Sequence, residues 1–368
     1  MNRPLPFVDL RLRDDADDVR AAIERVLTRG WYVLGPEVEA FEAEFAQASG
    51  ARFAVGVGNG TDAITLLLRA AGIGRGDQVI VPALTAGFTA LAVVAAGAAP
   101  LVVDVEPETL TLDARACAGA MTSRVKAIVP VHLYGHPADL GRLRSLADAH
   151  RLAIIEDCCQ AHLATYAGEP VGTGRVGGAF SFYPTKNLGA LGDGGAIITN
   201  DAAVAEQVRR TRNGGQSPRH HHVEAGVNSR LDELQAAILR ARLRRLPDNT
   251  RRRRELARLY RHRLTTVTVP IERDAGHVYH LFPIRSPQRD ALRAHLRAAG
   301  VETLIHYPVA LSEQRAFADC VPAPCPVATA AASELLSLPL DPRLSDEDAN
   351  RIAEAVNGFA GQAPASRV

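Results

Sequence analysis

The chain has 368 residues, of which 47% are hydrophobic, and its formal net charge at pH 7 is +1. This composition indicates a globular protein and excludes the strongly basic field that nucleic-acid-binding proteins carry. The five cysteines are an odd number without a C-x-x-C pair, which argues against a disulfide framework and a zinc ribbon. The N-terminal sequence has no apolar run of signal-peptide length, so we expect a cytoplasmic protein that contacts no membrane.

Apolar runs of strand length alternate with helical patterns from about residue 52 to residue 212. The predicted strands are FAVGV, QVIVPA, PLVVDV, AIVPVHLYG, LAIIED, AFSFYP and AIITN. Their continuous apolar character is typical of a parallel sheet that helices cover on both faces. We therefore predict an α/β fold with a large domain over residues 1–250.

The pattern after this region predicts a long helix from Ser229 to about Arg263, with the Ser229 side chain as its cap. A strand (VYHLFPIR), a helix (RDALRAHLRAAG), a second strand (VETLIHYP) and two more helices are expected to follow. These elements predict a smaller α+β domain over residues 251–368. Its last residues, GQAPASRV, have the composition of a disordered tail.

The first candidate site is the turn in VGVGNGTDAITLLLRAAG, where a strand ends at glycines and a helix begins at Thr61. Small residues before a helix allow its first backbone amides to approach a phosphate group, which the helix dipole also favours. The glycines Gly56, Gly58 and Gly60 do not have the G-x-G-x-x-G spacing of a dinucleotide site. A tight turn that simply needs glycine is an equally good interpretation of this segment.

The second candidate site is LAIIEDCCQAH, in which an apolar strand is followed by polar side chains. Asp157 lies at the carboxyl end of the strand, where α/β sheets bind ligands, and could meet a positively charged ring nitrogen. It could equally cap a helix. His162 is expected to have a structural role.

The third candidate site is the loop SFYPTKNLGALGDGGAIITN, which contains Lys186. The 42 basic residues of the chain include only two lysines, Lys126 and Lys186. Lysine, unlike arginine, can become a neutral amine that attacks carbonyl groups, so its retention in this loop suggests chemistry. An ordinary surface lysine is the alternative interpretation. Pyridoxal 5'-phosphate requires three things of a protein: a phosphate-binding turn, an acid that pairs with the pyridinium nitrogen, and such a lysine.

The same segments resemble the DegT-type (DegT/DnrJ/StrS) nucleotide-sugar aminotransferases over nearly the whole chain. Besides the three candidate sites, the resemblance includes PFVDL, GWYVLGPEVEAFEAEFA, VPVHLYGHPAD, GVNSRLDELQAAIL and TLIHYP. It implies an aspartate-aminotransferase-like fold (PLP fold type I), pyridoxal 5'-phosphate as the cofactor, and a homodimer with active sites shared between the subunits.

The resemblance also implies roles for individual residues. Lys186 would form the Schiff base with the cofactor and act as general acid and base, and Asp157 would pair with the ring nitrogen. The other expected cofactor contacts are Gly60, Thr61 and Ser181 at the phosphate, Gln160 at the phenolic oxygen, and Asn228, which would reach the phosphate from the other subunit.

One position departs from the family pattern. Many members have an aromatic residue that stacks on the cofactor ring, and Ala86 occupies that position here. Phe88, two residues later, either replaces it or belongs to the core.

The expected substrates are L-glutamate and a nucleotide-linked ketosugar, and the candidate substrate contacts are Tyr183, Arg219, His221, His306 and Tyr307. His306 and Tyr307 could equally be packing residues. The three consecutive histidines at 220–222 cannot share one face as a metal motif would, so they predict a plain surface loop or one that contacts an anionic ligand. The run Arg251 to Arg254 predicts a solvated helix face rather than a nucleic-acid site.

The segments TLIHYP and HHHVEAGVNSRLDELQ resemble the corresponding segments of family members that act on 3-keto sugars. We therefore predict amino transfer to the C3 keto group of a dTDP-linked 3-keto-dideoxyhexose or trideoxyhexose. A 4-ketosugar-nucleotide or ketocyclitol aminotransferase is the alternative, and a non-catalytic regulatory protein with the same fold is a remoter one.

Overall fold

The structure is a computed structural model that describes residues 4–359. The predicted tail from residue 361 lies outside the described residues. The strands, in chain order, are β1 (Phe53–Val57), β2 (Gln78–Pro82), β3 (Ala99–Val103), β4 (Val125–Ile128), β5 (Ala153–Asp157), β6 (Thr165–Tyr166), β7 (Glu169–Pro170), β8 (Gly177–Ser181), β9 (Gly195–Thr199), β10 (Phe282–Arg285) and β11 (Leu335–Leu338).

The helices are α1 (Ala16–Arg29), α2 (Pro36–Ala48), α3 (Gly60–Ala70), α4 (Phe88–Ala96), α5 (Ala114–Gly119), α6 (Leu140–His150), α7 (Ala202–Thr211), α8 (Glu233–Leu243), α9 (Leu246–Arg263), α10 (Arg289–Ala298), α11 (Pro326–Glu334) and α12 (Asp346–Asn357). Short 3-10 turns occupy Leu133–Gly135, Leu311–Glu313 and Arg315–Cys320. Among the described residues, none of the helices combines the length and the apolar character that crossing a lipid bilayer requires.

A seven-stranded sheet in the order β1-β9-β8-β5-β4-β2-β3 forms the centre of the molecule. All neighbouring strands are parallel except β9, which is antiparallel to both β1 and β8. Successive side chains of one strand enter different hydrophobic clusters: Val79 and Val81 of β2 belong to one cluster, and Ile80 to another. The predicted α/β fold, with its mostly parallel sheet covered on both faces, is confirmed.

The predicted helix from Ser229 to Arg263 is wrong in two respects. It is divided into α8 and α9, and α9 begins just before Pro247, whose missing N–H and fixed φ suit a first turn rather than a helix interior. Ser229 does not cap a helix, because α8 begins only at Glu233. The Ser229 hydroxyl instead accepts a hydrogen bond from the Gly58 amide (2.9 Å) and donates one to Asp62 (2.6 Å).

A second, two-stranded sheet pairs β10 antiparallel with β11. The predicted second strand VETLIHYP is wrong, because this segment forms only isolated bridges, from Val301 to Leu5 and from Leu304 to Ser337. The strand that pairs with β10 is LLSL in β11, which follows α11 without a turn signal. The division of the chain into domains at residue 250 stays a prediction.

Candidate active site

A cavity of about 770 Å³ opens at the carboxyl ends of the central strands. Strands β5 and β8 end at Asp157 and Ser181, and β1 leads into the N-terminus of α3. Because parallel strands end at the same edge of a sheet, residues far apart in sequence meet there. Of the predicted site residues, the cavity is lined by Gly60, Thr61, Phe88, Asp157, Gln160, Ser181, Tyr183, Lys186, His306 and Tyr307.

The N-terminus of α3 forms one wall of the cavity. Asn59 caps the helix by accepting a hydrogen bond from the Asp62 amide (2.9 Å), and the helix cannot pair the earlier N–H groups of Gly60 and Thr61. A Cβ atom on Gly60 would lie 2.6 Å from the Cys159 sulfur and 2.9 Å from the Ser181 Cβ. Glycine is therefore needed for α3 to approach β8, and the approach forms a cradle that fits a phosphate group.

Asp157 is 5% exposed and lies at the end of β5. Its carboxylate accepts hydrogen bonds from the Thr89 hydroxyl (2.8 Å) and the Cys159 amide (3.1 Å). A carboxylate can accept about four hydrogen bonds, so these two donors orient the group and leave lone pairs for a cationic partner. This arrangement fits a protonated ring nitrogen, and Asp157 does not act as a helix cap.

Lys186 is half-buried in the loop between β8 and β9. Its backbone N–H donates to the Tyr183 carbonyl (2.8 Å), and the Ala190 N–H donates to the Phe182 carbonyl (2.7 Å), so the loop folds back on itself. A Cβ atom on Gly189 would lie 2.5 Å from the Pro184 carbonyl oxygen, which explains why the loop needs glycine.

Burial lowers the pKa of the Lys186 ammonium group, and the neighbouring Cys159 and Asp157 oppose this shift. A lysine with a lowered pKa exposes a neutral amine to the cavity more readily than a surface lysine does. Lys186 thus has the position and the lowered pKa that a nucleophile needs, and its catalytic role stays a prediction.

Gln160 has a defined amide orientation. Its Oε1 atom accepts a hydrogen bond from the Tyr134 backbone N–H (2.6 Å), so its Nε2 atom is the donor to the Tyr307 hydroxyl (3.0 Å). The Tyr307 hydroxyl thus uses one of the two amide hydrogens, and both side chains line the cavity. Burial lowers the pKa of His306 to about 4 and raises the pKa of Tyr307, so both side chains are neutral near pH 7.

The sequence interpretation missed Thr89 and His280. Thr89 binds Asp157 from the first turn of α4, and His280 lies in the cavity wall with its Nδ1 atom 3.2 Å from the Asn187 Oδ1. The pKa of His280 is lowered by burial, so its ring is neutral. Its hydrogen bond to Asn187, the residue after Lys186, could not be anticipated because 93 residues separate the two in sequence.

The remaining predicted residues have different environments. Phe88 lines the cavity at the start of α4 but is 64% exposed, so it is not a core residue. Asn228, Arg219 and His221 are exposed and do not line the cavity within this single chain. His221 lies with its Nδ1 atom 3.2 Å from the Ser217 carbonyl oxygen, and Asn228 forms a bridge with Asn213.

One buried group of residues has the composition of a metal site. The ligand atoms of His132, Glu156 and Cys158 lie within 4.8 Å of one another. The Ala138 amide donates to His132 Nδ1 (3.0 Å), so Nε2 carries the proton and donates to Glu156 Oε2 (3.0 Å). Both ring nitrogens of His132 are therefore used within the protein, which accounts for this group without an ion.

The chain is similar to characterised proteins over almost its full length. It is 49% identical to the "Erythromycin biosynthesis sensory transduction protein EryC1" of Saccharopolyspora erythraea, over 97% of this chain and 100% of that protein. It is 47% identical to the "dTDP-3-amino-3,4,6-trideoxy-alpha-D-glucose transaminase" of Streptomyces venezuelae, over 97% of this chain and 96% of that protein.

Solved structures show the same similarity. DesV of S. venezuelae, crystallised "in complex with ketimine intermediate", superimposes with a TM-score of 0.95 at 45% identity, over 98% of this chain and 100% of that one. NtdA of Bacillus subtilis, crystallised "with bound cofactor pmp", superimposes with a TM-score of 0.90 at 31% identity, over 97% of this chain and 85% of that one.

The sequence profile of one family matches residues 13–357. The match extends from α1 to the last residue of α12 and so includes every residue that lines the cavity. The chain belongs to the DegT/DnrJ/EryC1/StrS aminotransferase family.

Proposed function

We propose that this protein is a pyridoxal-phosphate-dependent aminotransferase that moves an amino group from L-glutamate to the C3 keto group of a dTDP-linked 3-keto-deoxyhexose. The observation that carries the proposal is the meeting of Lys186, Asp157 and the N-terminus of α3 in one cavity. Its volume lies within the range of 300–1,000 Å³ that is typical of small-molecule sites.

The residues of the cavity supply the contacts that the cofactor requires. The amides of Gly60 and Thr61, with the Ser181 hydroxyl, would hold the phosphate; Asp157 would hold the ring nitrogen in its protonated form; and the Gln160 amide would donate to the phenolic oxygen. When bound, pyridoxal phosphate supplies an aldehyde that accepts the amino group and a ring that withdraws electrons from the neighbouring carbon.

Lys186 performs the proton transfers. Its lowered pKa makes the neutral amine accessible, so it would take a proton from the α-carbon of the donor and deliver it to the cofactor carbon on the other side of the shared nitrogen. Hydrolysis would then release the oxoacid and leave the amino group behind. Thr89 holds the Asp157 carboxylate in place during these steps. The neutral side chains of His306 and Tyr307 are suited to hydrogen bonds with sugar hydroxyl groups, because they add no charge to the cavity.

The C3 position and the dTDP group are supported by the relative from S. venezuelae, which is named as a dTDP-3-amino-trideoxyglucose transaminase. The relative named as a sensory transduction protein raises the alternative of a regulatory protein. The intact set of Lys186, Asp157 and Gln160 favours catalysis, since a regulator needs none of their chemistry.

We further propose a homodimer in which Asn228, Arg219 and His221 act in the partner's site. Exposed apolar side chains occur on α4 at Leu91 and Val94, beside the cavity, and such surfaces commonly form interfaces. Sedimentation equilibrium measures this directly: a dimer is expected, and a monomer that retains full activity would contradict the shared site.

The proposed reaction can be tested one half at a time. The holoenzyme is first converted with L-glutamate to its amine form, and dTDP-linked 3-keto and 4-keto sugars are then added separately while the return of the aldehyde-form absorbance is followed. We expect return with the 3-keto sugar alone. Return with the 4-keto sugar alone would retain the aminotransferase class but overturn the C3 position, and no response to glutamate would overturn the proposed donor or the class.

A further inference from the structure

Tyr134 has an unusual backbone conformation for a large, buried residue. It lies in the 3-10 turn Leu133–Gly135, is 2% exposed, and has φ 59° and ψ 9°. Aromatic residues rarely adopt this left-handed region, and such strain persists where the surrounding structure requires it, often at functional sites. The contacts of Tyr134 show what requires it here.

Every polar group of Tyr134 binds a different segment of the cavity wall. Its N–H donates to the Gln160 side chain (2.6 Å), its carbonyl accepts from the His280 amide (2.8 Å), and its hydroxyl donates to the His306 carbonyl. Gln160 follows β5, His280 precedes β10, and His306 lies in the segment after α10. A single residue therefore joins three walls that the chain supplies from distant positions.

The next residue shows how closely these segments approach the turn. Gly135 has φ 91°, and a Cβ atom there would lie 2.9 Å from the Val278 side chain and 3.0 Å from both the Gln160 carbonyl oxygen and the His280 amide. The turn is therefore shaped by the same two wall segments that Tyr134 binds.

We propose that Tyr134 is a positioning residue, whose hydroxyl holds His306 and Tyr307 against Gln160 and thereby sets the shape of the sugar-binding side of the cavity. The Tyr134 backbone N–H holds Gln160 independently of the hydroxyl. Loss of the hydroxyl should therefore loosen the segment that carries His306 and Tyr307 and leave Gln160 in place. The kinetic consequences rest on the proposed function, whereas the structural coupling does not.

Tyr134→Phe tests this inference, and Tyr260→Phe is its matched control. The Tyr260 ring is 0% exposed and its hydroxyl donates to the Pro339 backbone carbonyl (2.8 Å), but Tyr260 does not line the cavity. Each variant removes one buried hydroxyl that donates a hydrogen bond to a backbone carbonyl, so both should lower Tm by similar small amounts.

The first measurement is hydrogen exchange of the cofactor-free protein. The reporters are the Leu304 and Leu311 amides, which donate to the Ser337 and Ala83 carbonyls on either side of His306 and Tyr307. Tyr134→Phe should accelerate their exchange by about tenfold, the effect expected for one lost buried hydrogen bond, and Tyr260→Phe should change it less than about twofold. Equal exchange in Tyr134→Phe and the wild type would overturn the coupling. This result is independent of any enzymatic activity.

The second measurement is kinetic and uses the holoenzyme. Tyr134→Phe should raise KM for the ketosugar nucleotide by about three- to tenfold and leave the half-reaction with L-glutamate within about twofold of the wild type. In a Tyr307→Phe background, Tyr134→Phe should add little, because the two changes act on one contact. Additive effects, or equal effects on both half-reactions, would overturn the positioning role. If the wild type itself does not transfer amino groups, the proposed function fails while the exchange result still decides the coupling.

Discussion

The phosphate cradle at the start of α3 can be tested by adding a single methyl group. In Gly60→Ala the new Cβ would lie 2.6 Å from the Cys159 sulfur and 2.9 Å from the Ser181 Cβ. The sulfur can rotate away, but the Ser181 Cβ is attached directly to the backbone of β8 and cannot. The N-terminus of α3 must therefore move away from β8, and the amides that face the cavity move with it.

The size of the effect follows from this contact. Overpacking by one methyl group in a well-packed site costs about 1–3 kcal/mol, so the free energy of unfolding of the cofactor-free protein should fall by about that amount. If displacement of the amides costs the bound state a similar additional energy, the affinity for pyridoxal phosphate falls by about 5- to 150-fold.

Urea unfolding of the cofactor-free protein and absorbance titration with pyridoxal phosphate measure the two effects. Gly119→Ala is the matched control, because Gly119 is the last residue of α5 and a Cβ atom there would meet nothing within 4 Å. It should change stability by less than about 1 kcal/mol, with alanine favoured. A Gly60→Ala protein with the stability and the cofactor affinity of this control would refute the cradle.

Lys186→Ala should bind the cofactor without turning over, whereas Lys126→Ala, at an exposed lysine, should retain wild-type activity; sustained turnover by the first variant would remove the catalytic assignment. Glu233→Gln should lower the free energy of unfolding by about 1–3 kcal/mol, because this buried carboxylate accepts hydrogen bonds from three backbone N–H groups at the start of α2. Its control is Glu206→Gln on the surface, which should change the free energy of unfolding little in the same urea titration. Burial lowers the pKa of His136 to about 4, so the unfolded state binds more protons between about pH 6.5 and pH 4 and stability should fall as the pH is lowered through this window. His306, whose pKa burial also lowers to about 4, acts in the same direction, so unfolding midpoints that stay constant from pH 7 to pH 4 would contradict both lowered pKa values.

The central sheet could be predicted because each strand has a local signal. All seven predicted strands form the sheet, since runs such as QVIVPA can be buried on both faces only between helices. The second sheet could not be predicted in the same way. LLSL follows α11 directly, and its pairing with β10 depends on a contact between residues about 50 positions apart.

The candidate site was predictable where one residue lies at the end of one strand. Asp157 and Ser181 are the last residues of β5 and β8, Lys186 lies in the loop after β8, and all three line the cavity. Thr89, His280 and the hydroxyl of Tyr134 act through partners in distant segments, so no local pattern indicates them. The predicted roles of Asn228, Arg219 and His221 depend on a second subunit and stay predictions.

The measurement that tests the central claim most directly is reduction of the holoenzyme with borohydride, followed by peptide mapping of the covalently attached cofactor. The chain has only two lysines, so the result is unambiguous. We predict that the label lies on the peptide that contains Lys186 and is lost in Lys186→Ala but not in Lys126→Ala. A label on Lys126, or a cofactor-saturated wild-type protein that takes up no label, would contradict the account.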